Sequence, residues 1–274
     1  MIPQNILAFL FFILGSIIGS FLNVCIVRMP QEKSVVTPRS HCVKCKNTIP
    51  WFDNIPFISY ILLGGKCRNC KEPISSRYIL VEFITGLSFA GFYLYFGLDN
   101  LLLPYLFMMS CFIVATFVDF EHKIIPDEVS VGGMIAGLIF SLFIPNLHNV
   151  ISGNEGFILT HLKSFGLSFF GVLVGGGIIY LMGTIGDIVF KKESMGGGDV
   201  KLMAMIGAFL GWKLAILTFF IAPFFGAIFG IIEKIRTKES AIAYGPFLAL
   251  GALVSLFWGE KIINFILSGY GGLI

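Results

Sequence analysis

Asp119 and Asp199 stand where long apolar runs meet short polar breaks, in VDFEHKIIPD and MGGGDVKL. A carboxylate at a bilayer edge is costly, and a chain that keeps two there is expected to use them. Paired aspartates hydrolyse a peptide bond when one, ionised, takes a proton from water and the other, protonated, donates to the carbonyl and then to the amine. Closeness creates that difference, because neighbouring like charges do not both ionise cheaply and the pair holds one proton between them. Gly196, Gly197 and Gly198 precede the second acid. Lacking Cβ, they let a substrate backbone approach, although a plain inter-helix loop has the same composition. The acids also suit a proton- or cation-coupled transporter. Asp199 and Asp127 each precede an apolar run, as helix-capping residues do, and Asp127 is read as a cap. Asp119 ends its run, where the helix dipole disfavours negative charge, so capping does not account for it.

A second constellation is made of sulfur. Cys42-Val-Lys-Cys45 and Cys67-Arg-Asn-Cys70 are two knuckles separated by 21 residues, the spacing of a four-thiolate zinc ribbon. Four thiolates around Zn²⁺ leave a charge of about minus two, which Lys44, Lys46, Lys66, Arg68 and Lys71 offset. Two disulfides are the alternative, and a cytoplasmic setting disfavours them. A redox CxxC lacks the surrounding strand and helix pattern. Cys25 and Cys111 lie within apolar runs and read as small buried residues.

The elements that carry these residues follow from composition. With 56% hydrophobic and 13% charged residues in 274, including 30 Phe, most of the chain needs lipid as solvent. The expected fold is an all-α polytopic membrane protein with about eight transmembrane segments and a small zinc-ribbon-like loop domain. Spans are expected at 5–27, 78–97, 100–118, 128–147, 164–190, 213–233 and 241–258, with a shorter sixth segment between Asp199 and Trp212. The first has no basic residue ahead of it and is too long for a cleavable signal core, so it is read as a retained span. Three domains are expected: a first transmembrane helix at 1–28, a cytoplasmic cysteine-rich domain at 29–77, and a transmembrane peptidase domain at 78–274.

The loop from Met29 to Arg77 carries eight Lys and Arg against Glu32, Asp53 and Glu72. Positive loops stay in the cytoplasm, which puts the N-terminus outside. Alternating from there, the turn after Asp119, the connection before Asp199 and the basic loop Glu233 to Glu239 fall inside. The turn near Asp99 and the loop from Asn146 to Glu155 fall outside and carry no Lys or Arg; Lys163, Lys213 and Lys261 lie singly towards that side. Both acids then reach the cytoplasmic face.

Other chemistries lack their residues. There is no HExxH pair, and serines such as Ser168 and Ser194 stand without a histidine partner pattern. The run GVLVGGGIIY lies within a span and reads as helix packing rather than nucleotide binding. No nucleic-acid partner is expected.

Taken in order, GSFLNVCIVRMP, the cysteine loop through SSRYILVE, DFEHKIIPDE, GGGDVKLMAMIGAFLGW and YGPFLALGA resemble the bacterial prepilin peptidases, or type IV leader peptidases, over nearly the whole chain. The resemblance implies a GxGD-type aspartyl protease of the bacterial inner membrane. Such enzymes cut the short basic leader from type IV prepilins or pseudopilins, on the cytoplasmic side, for pilus assembly or type II secretion. It also implies that Asp119 and Asp199 are the catalytic pair and that many relatives then methylate the new N-terminus with S-adenosylmethionine. The cysteine loop would support that step, with zinc on its thiols. The sequence departs at CVKC, RYILVE and IAYGP, where relatives commonly have a proline after the first Cys, RYPLVE and IPFGP. A basic leader suits negative surroundings, for which Glu121, Asp127, Glu128 and Glu193 are the candidates. A non-catalytic scaffold that docks secretion components through the loop is a further alternative.

Overall fold

A backbone without water to bond must bond to itself, so the apolar runs fold as helices. The computed structural model describes residues 3–150, 156–191, 195–237 and 243–271. Glu193 and Ser194, part of the 146–155 loop and part of the basic loop after Glu233 lie outside the described residues. Eight α-helices are described: α1 (Gln4–Arg28), the short α2 (Ile58–Leu62), α3 (Arg77–Phe96), α4 (Leu102–His122), α5 (Asp127–Phe143), α6 (Phe157–Phe190), α7 (Gly197–Thr237) and α8 (Gly245–Gly271). Among the described residues there is no strand, only the isolated bridges His41 to Thr48 and Lys66 to Pro73.

All of these but α2 and α5 contain a stretch long and apolar enough to cross a membrane, six in number. The expectation of about eight segments differs for two reasons. The fourth segment forms a helix of only 17 residues, ended before the 3₁₀ turn Pro145–His148. The sixth and seventh run together as α7, which breaks at Gly211. Helices also outrun their apolar cores: α4 continues to His122, α6 begins at Phe157 and α8 reaches Gly271.

The chain divides into two compact units, Met1–Val114 and Ala115–Ile274, with the division inside α4. In the first, α1 and α3 pack closely. A Cβ on Gly15 would stand 2.7 Å from the Thr85 carbonyl oxygen, and one on Gly19 would stand 2.8 Å from Glu82 Cα. Polar bonds add to the contact: Asn23 Nδ2 donates to the Tyr78 carbonyl at 3.0 Å, and the Phe57 N–H of the loop donates to Glu82 Oε2 at 3.2 Å.

In the second unit, the sixth segment is the core. Leu202, Met203, Met205, Ile206, Ala208 and Phe209 are fully or almost fully buried. Gly171 and Gly175 of α6 set their Cα against the backbones of Gly207 and Met203, leaving no room for a side chain. The glycine-rich run therefore packs helices. The segment's 14 residues before Gly211 extend about 21 Å, short of a hydrocarbon core of about 30 Å. Protein rather than lipid surrounds it, so a short helix suffices.

Candidate active site

Asp119 lies in the last turn of α4 and is 5% exposed. Lys123, with φ 56°, ends the helix by donating its N–H to the Asp119 carbonyl at 2.9 Å. Pro126 then takes an extended conformation and α5 begins. The Asp119 side chain receives a donor from 126 residues away: the Gly245 N–H, at the start of α8, lies 2.8 Å from Oδ2. The first N–H groups of a helix have no intrahelical acceptor, so this carboxylate satisfies one of them. A Cβ on Gly245 would stand 2.9 Å from Asp119 Oδ2 and 3.0 Å from Ile125 Cδ1.

Asp199 is the third residue of α7 and half-buried. Its carboxylate reaches back to the Gly196 N–H just before the helix, and its own N–H donates to the Gly196 carbonyl at 3.1 Å. Asp199 thus caps α7 from inside the first turn rather than from the cap position. Gly198 rests on Ile125, where a Cβ would come 3.1 Å from Ile125 Cβ. Ile125 therefore touches the glycine neighbouring Asp199 and the glycine that holds Asp119. The two carboxylates are close enough for Asp199 to feel the charge of Asp119, and Tyr244 is close enough to feel that of Asp199.

Asp127 is elsewhere. Pro126 occupies the cap position of α5, and Asp127 is its first residue, exposed and bound to Lys201 Nζ at 2.6 and 2.8 Å. Lys201 partly offsets its charge. Gly245 is the residue that sequence reasoning did not place at the site. A Gly-Pro pair opening an apolar run signals a helix start, but not which carboxylate the start would meet.

In the first unit the four thiols converge. The Sγ atoms of Cys42, Cys45, Cys67 and Cys70 all lie within 4.8 Å of one another, with Cys42 to Cys70 at 3.8 Å and Cys45 to Cys67 at 4.0 Å. A tetrahedron with metal–sulfur bonds of about 2.3 Å has edges of about 3.8 Å, so the cluster fits Zn²⁺. The cysteines are free thiols. The two knuckles repeat one design: Lys46 N–H donates to the Cys42 carbonyl at 2.9 Å and Lys71 N–H to the Cys67 carbonyl at 3.0 Å, with φ 60° at both lysines. The Cys45 and Lys44 N–H groups hold the Cys42 thiol down to about 6, and those of Cys70 and Asn69 lower Cys67. Arg68 grips Asp53 through two bonds of 2.8 and 2.7 Å, and Lys44 pairs with Glu72 at 3.2 Å.

Comparison with known proteins matches both units. The family model for the bacterial peptidase A24 N-terminal domain matches residues 13–96, and that for the type IV leader peptidase family matches residues 106–231. Proteins named prepilin leader peptidase/N-methyltransferase are similar to the chain. That of Myxococcus xanthus is 36% identical over 84% of this chain and 64% of its own length, so the match spans just under two thirds of that relative. That of Pseudomonas aeruginosa is 32% identical over 91% of this chain and 90% of its own, and that of Legionella pneumophila 32% identical over 92% and 91%. No solved structure matches. With its order of motifs, its helices and these relatives in agreement, the chain belongs to the type IV leader peptidase family.

Proposed function

We propose that this chain removes the leader peptide from prepilin substrates and methylates the N-terminus so exposed. Its relatives' names carry both activities. The observation that supports a hydrolytic role for this chain's own residues is the convergence of Asp119 and Asp199, 80 positions apart, about one isoleucine. In this reading the pair shares one proton. The ionised member takes a proton from water, which attacks the scissile carbonyl; the protonated member donates to the carbonyl oxygen and then to the departing amine. The Gly245 N–H fixes the rotation of the Asp119 carboxylate, and Gly196 does the same for Asp199. A helical substrate hides its carbonyl in a hydrogen bond, so the cut site unwinds locally before attack. Gly197, with nothing within 4 Å of where its Cβ would be, leaves space for that strand of backbone.

The active site faces the cytoplasm and the N-terminus lies outside, by the distribution of Lys and Arg. Zn²⁺ on the four thiols is structural: four protein ligands leave no open position for chemistry. S-adenosylmethionine supplies an electrophilic methyl group to the new amine. Nothing in the described residues favours the transporter reading.

The test combines purified protein with a prepilin and S-adenosylmethionine and weighs the products by mass spectrometry. Loss of the leader reports hydrolysis, and one added methyl group reports the second activity. Asp119→Asn and Asp199→Asn are expected to slow cleavage by about 10²–10⁴-fold, the usual contribution of a positioned acid or base. Asp127→Asn is expected to cleave at nearly the original rate. Retained cleavage in either of the first two overturns the assignment.

A further inference from the structure

Where α1 meets the cysteine loop, a cavity is lined by two arginines and a set of apolar side chains, among them Arg28, Arg39, Phe21, Val24, Val36 and Trp51. No acid lines it. Arg28 donates from Nη1 to the Ser34 carbonyl at 3.0 Å and from Nη2 to the Pro38 carbonyl at 2.8 Å, bonds that hold the loop's first turn but neutralise no charge. Among the described residues no carboxylate pairs with Arg28 or Arg39, whereas Arg68 and Lys44 of the same loop have acidic partners. Two uncompensated guanidiniums facing one cavity make a site for an anion, and planar guanidinium forks match phosphate oxygens.

The apolar wall identifies the kind of anion. Ile6, Leu10, Ile13, Ile17 and Phe21 are exposed on α1, three or four positions apart, so they form one face that runs along the spanning helix into the cavity. Exposed Trp51 and Val36 border its mouth. A free phosphate uses none of this surface. The methyl donor does not fit either: S-adenosylmethionine carries a sulfonium and an ammonium against one carboxylate, and the lining offers it two more cations. A zwitterionic headgroup brings its own cation to the arginines, whereas an anionic one does not.

We propose that this cavity binds the phosphate of an anionic phospholipid, with Arg39 and Arg28 on the headgroup and an acyl chain along the Phe21 to Ile6 face of α1. The bound lipid anchors the cysteine loop to the membrane beside its own leaflet. Basic side chains at a membrane surface each strengthen anionic lipid binding by about five-fold.

Trp51 reports the site directly, since the other tryptophans, Trp212 and Trp258, can be removed. The full-length chain carrying Trp212→Phe and Trp258→Phe is placed in nanodiscs containing either brominated phosphatidylglycerol or brominated phosphatidylcholine in an otherwise unlabelled bilayer. Trp51 fluorescence is then titrated against the fraction of brominated lipid. Phosphatidylglycerol is expected to quench at a several-fold lower fraction than phosphatidylcholine. Arg39→Gln is expected to reduce that preference about five-fold, and Arg39→Lys to keep most of it. Inorganic phosphate and S-adenosylhomocysteine, added at millimolar concentration, are expected to leave quenching unchanged. Equal quenching by the two lipids, or an undiminished preference in Arg39→Gln, overturns the proposal. Relief of quenching by either soluble compound overturns it too, in favour of a soluble-anion or donor site.

Discussion

Gly245 carries a demand that no other residue type meets. Its N–H must reach Asp119 Oδ2 at 2.8 Å while its Cα sits between that oxygen and the Ile125 side chain. A methyl group there would approach closer than Cβ atoms come to their neighbours, so either the α8 start or the carboxylate must move. A displacement of about 1 Å in a reacting group costs on the order of 10²-fold in rate. Gly245→Ala is accordingly expected to fold and to cleave a prepilin peptide about 10²-fold more slowly, checked by a cleavage time course beside a thermal melt. A folded variant with an unaltered rate would show that the Gly245 contact does not set the geometry. The exposed Asp127 and Lys201 pair contrasts with it, since ion pairs open to solvent contribute about 0–1 kcal/mol.

At the scale of elements, the break in α7 has a support of its own. Gly211 has φ 74° and ψ 171°, a conformation that strains residues with a Cβ and turns the next N–H out of the helix ladder. The carbonyl of Ala208, whose partner would be four residues on, instead accepts Ser168 Oγ at 2.7 Å and His148 Nε2 at 3.1 Å. His148, in the turn Pro145–His148, thereby fastens the sixth segment. Burial holds its imidazole down to about 4, against the opposing pull of the Ala208 carbonyl. An unfolded histidine titrates near about 6.5. Between these values the unfolded chain binds the proton more tightly, so the folded state is fully favoured above about pH 6.5 and loses stability as pH falls towards 4. The loss is on the order of 3 kcal/mol at most. Melting in detergent between pH 7 and 4 should show it, and His148→Gln should flatten the slope; an equally steep slope in the variant would assign it to other groups.

For the molecule as a whole, the thiol cluster and the aspartates belong to different units. The cluster's ligands come from two knuckles with the 3₁₀ turn Trp51–Asn54 and the short α2 between them, and a metal on all four thiols would link the two ends of the loop. Both aspartates belong to the other unit, Asp119 bound to the N–H of Gly245 at the start of α8 and Asp199 to that of Gly196 just before α7. Stripping zinc with a strong chelator is therefore expected to abolish most methyl transfer while leader removal continues near its original rate, with both products weighed in one reaction. Parallel loss of the two activities would mean that the thiol cluster supports the peptidase as well.

Much of this was legible along the chain, for identifiable reasons. A run of apolar residues long enough to cross a bilayer has helix as its available structure, so most spans could be read by length, and two CxxC pairs in one loop marked the four cysteines as one ligand set because that spacing suits a four-thiolate site. Glycines at 171 and 175 could be read as packing sites because close helix approach requires small residues. Tertiary structure alone decided the partners. That Asp119 meets the start of α8, that Asp127 binds Lys201, and that the sixth segment is short because protein encloses it all depend on which helix ends arrive at one place. Local sequence sets where a helix starts and stops, while a hydrogen bond across 126 residues exists only once the helices between have packed.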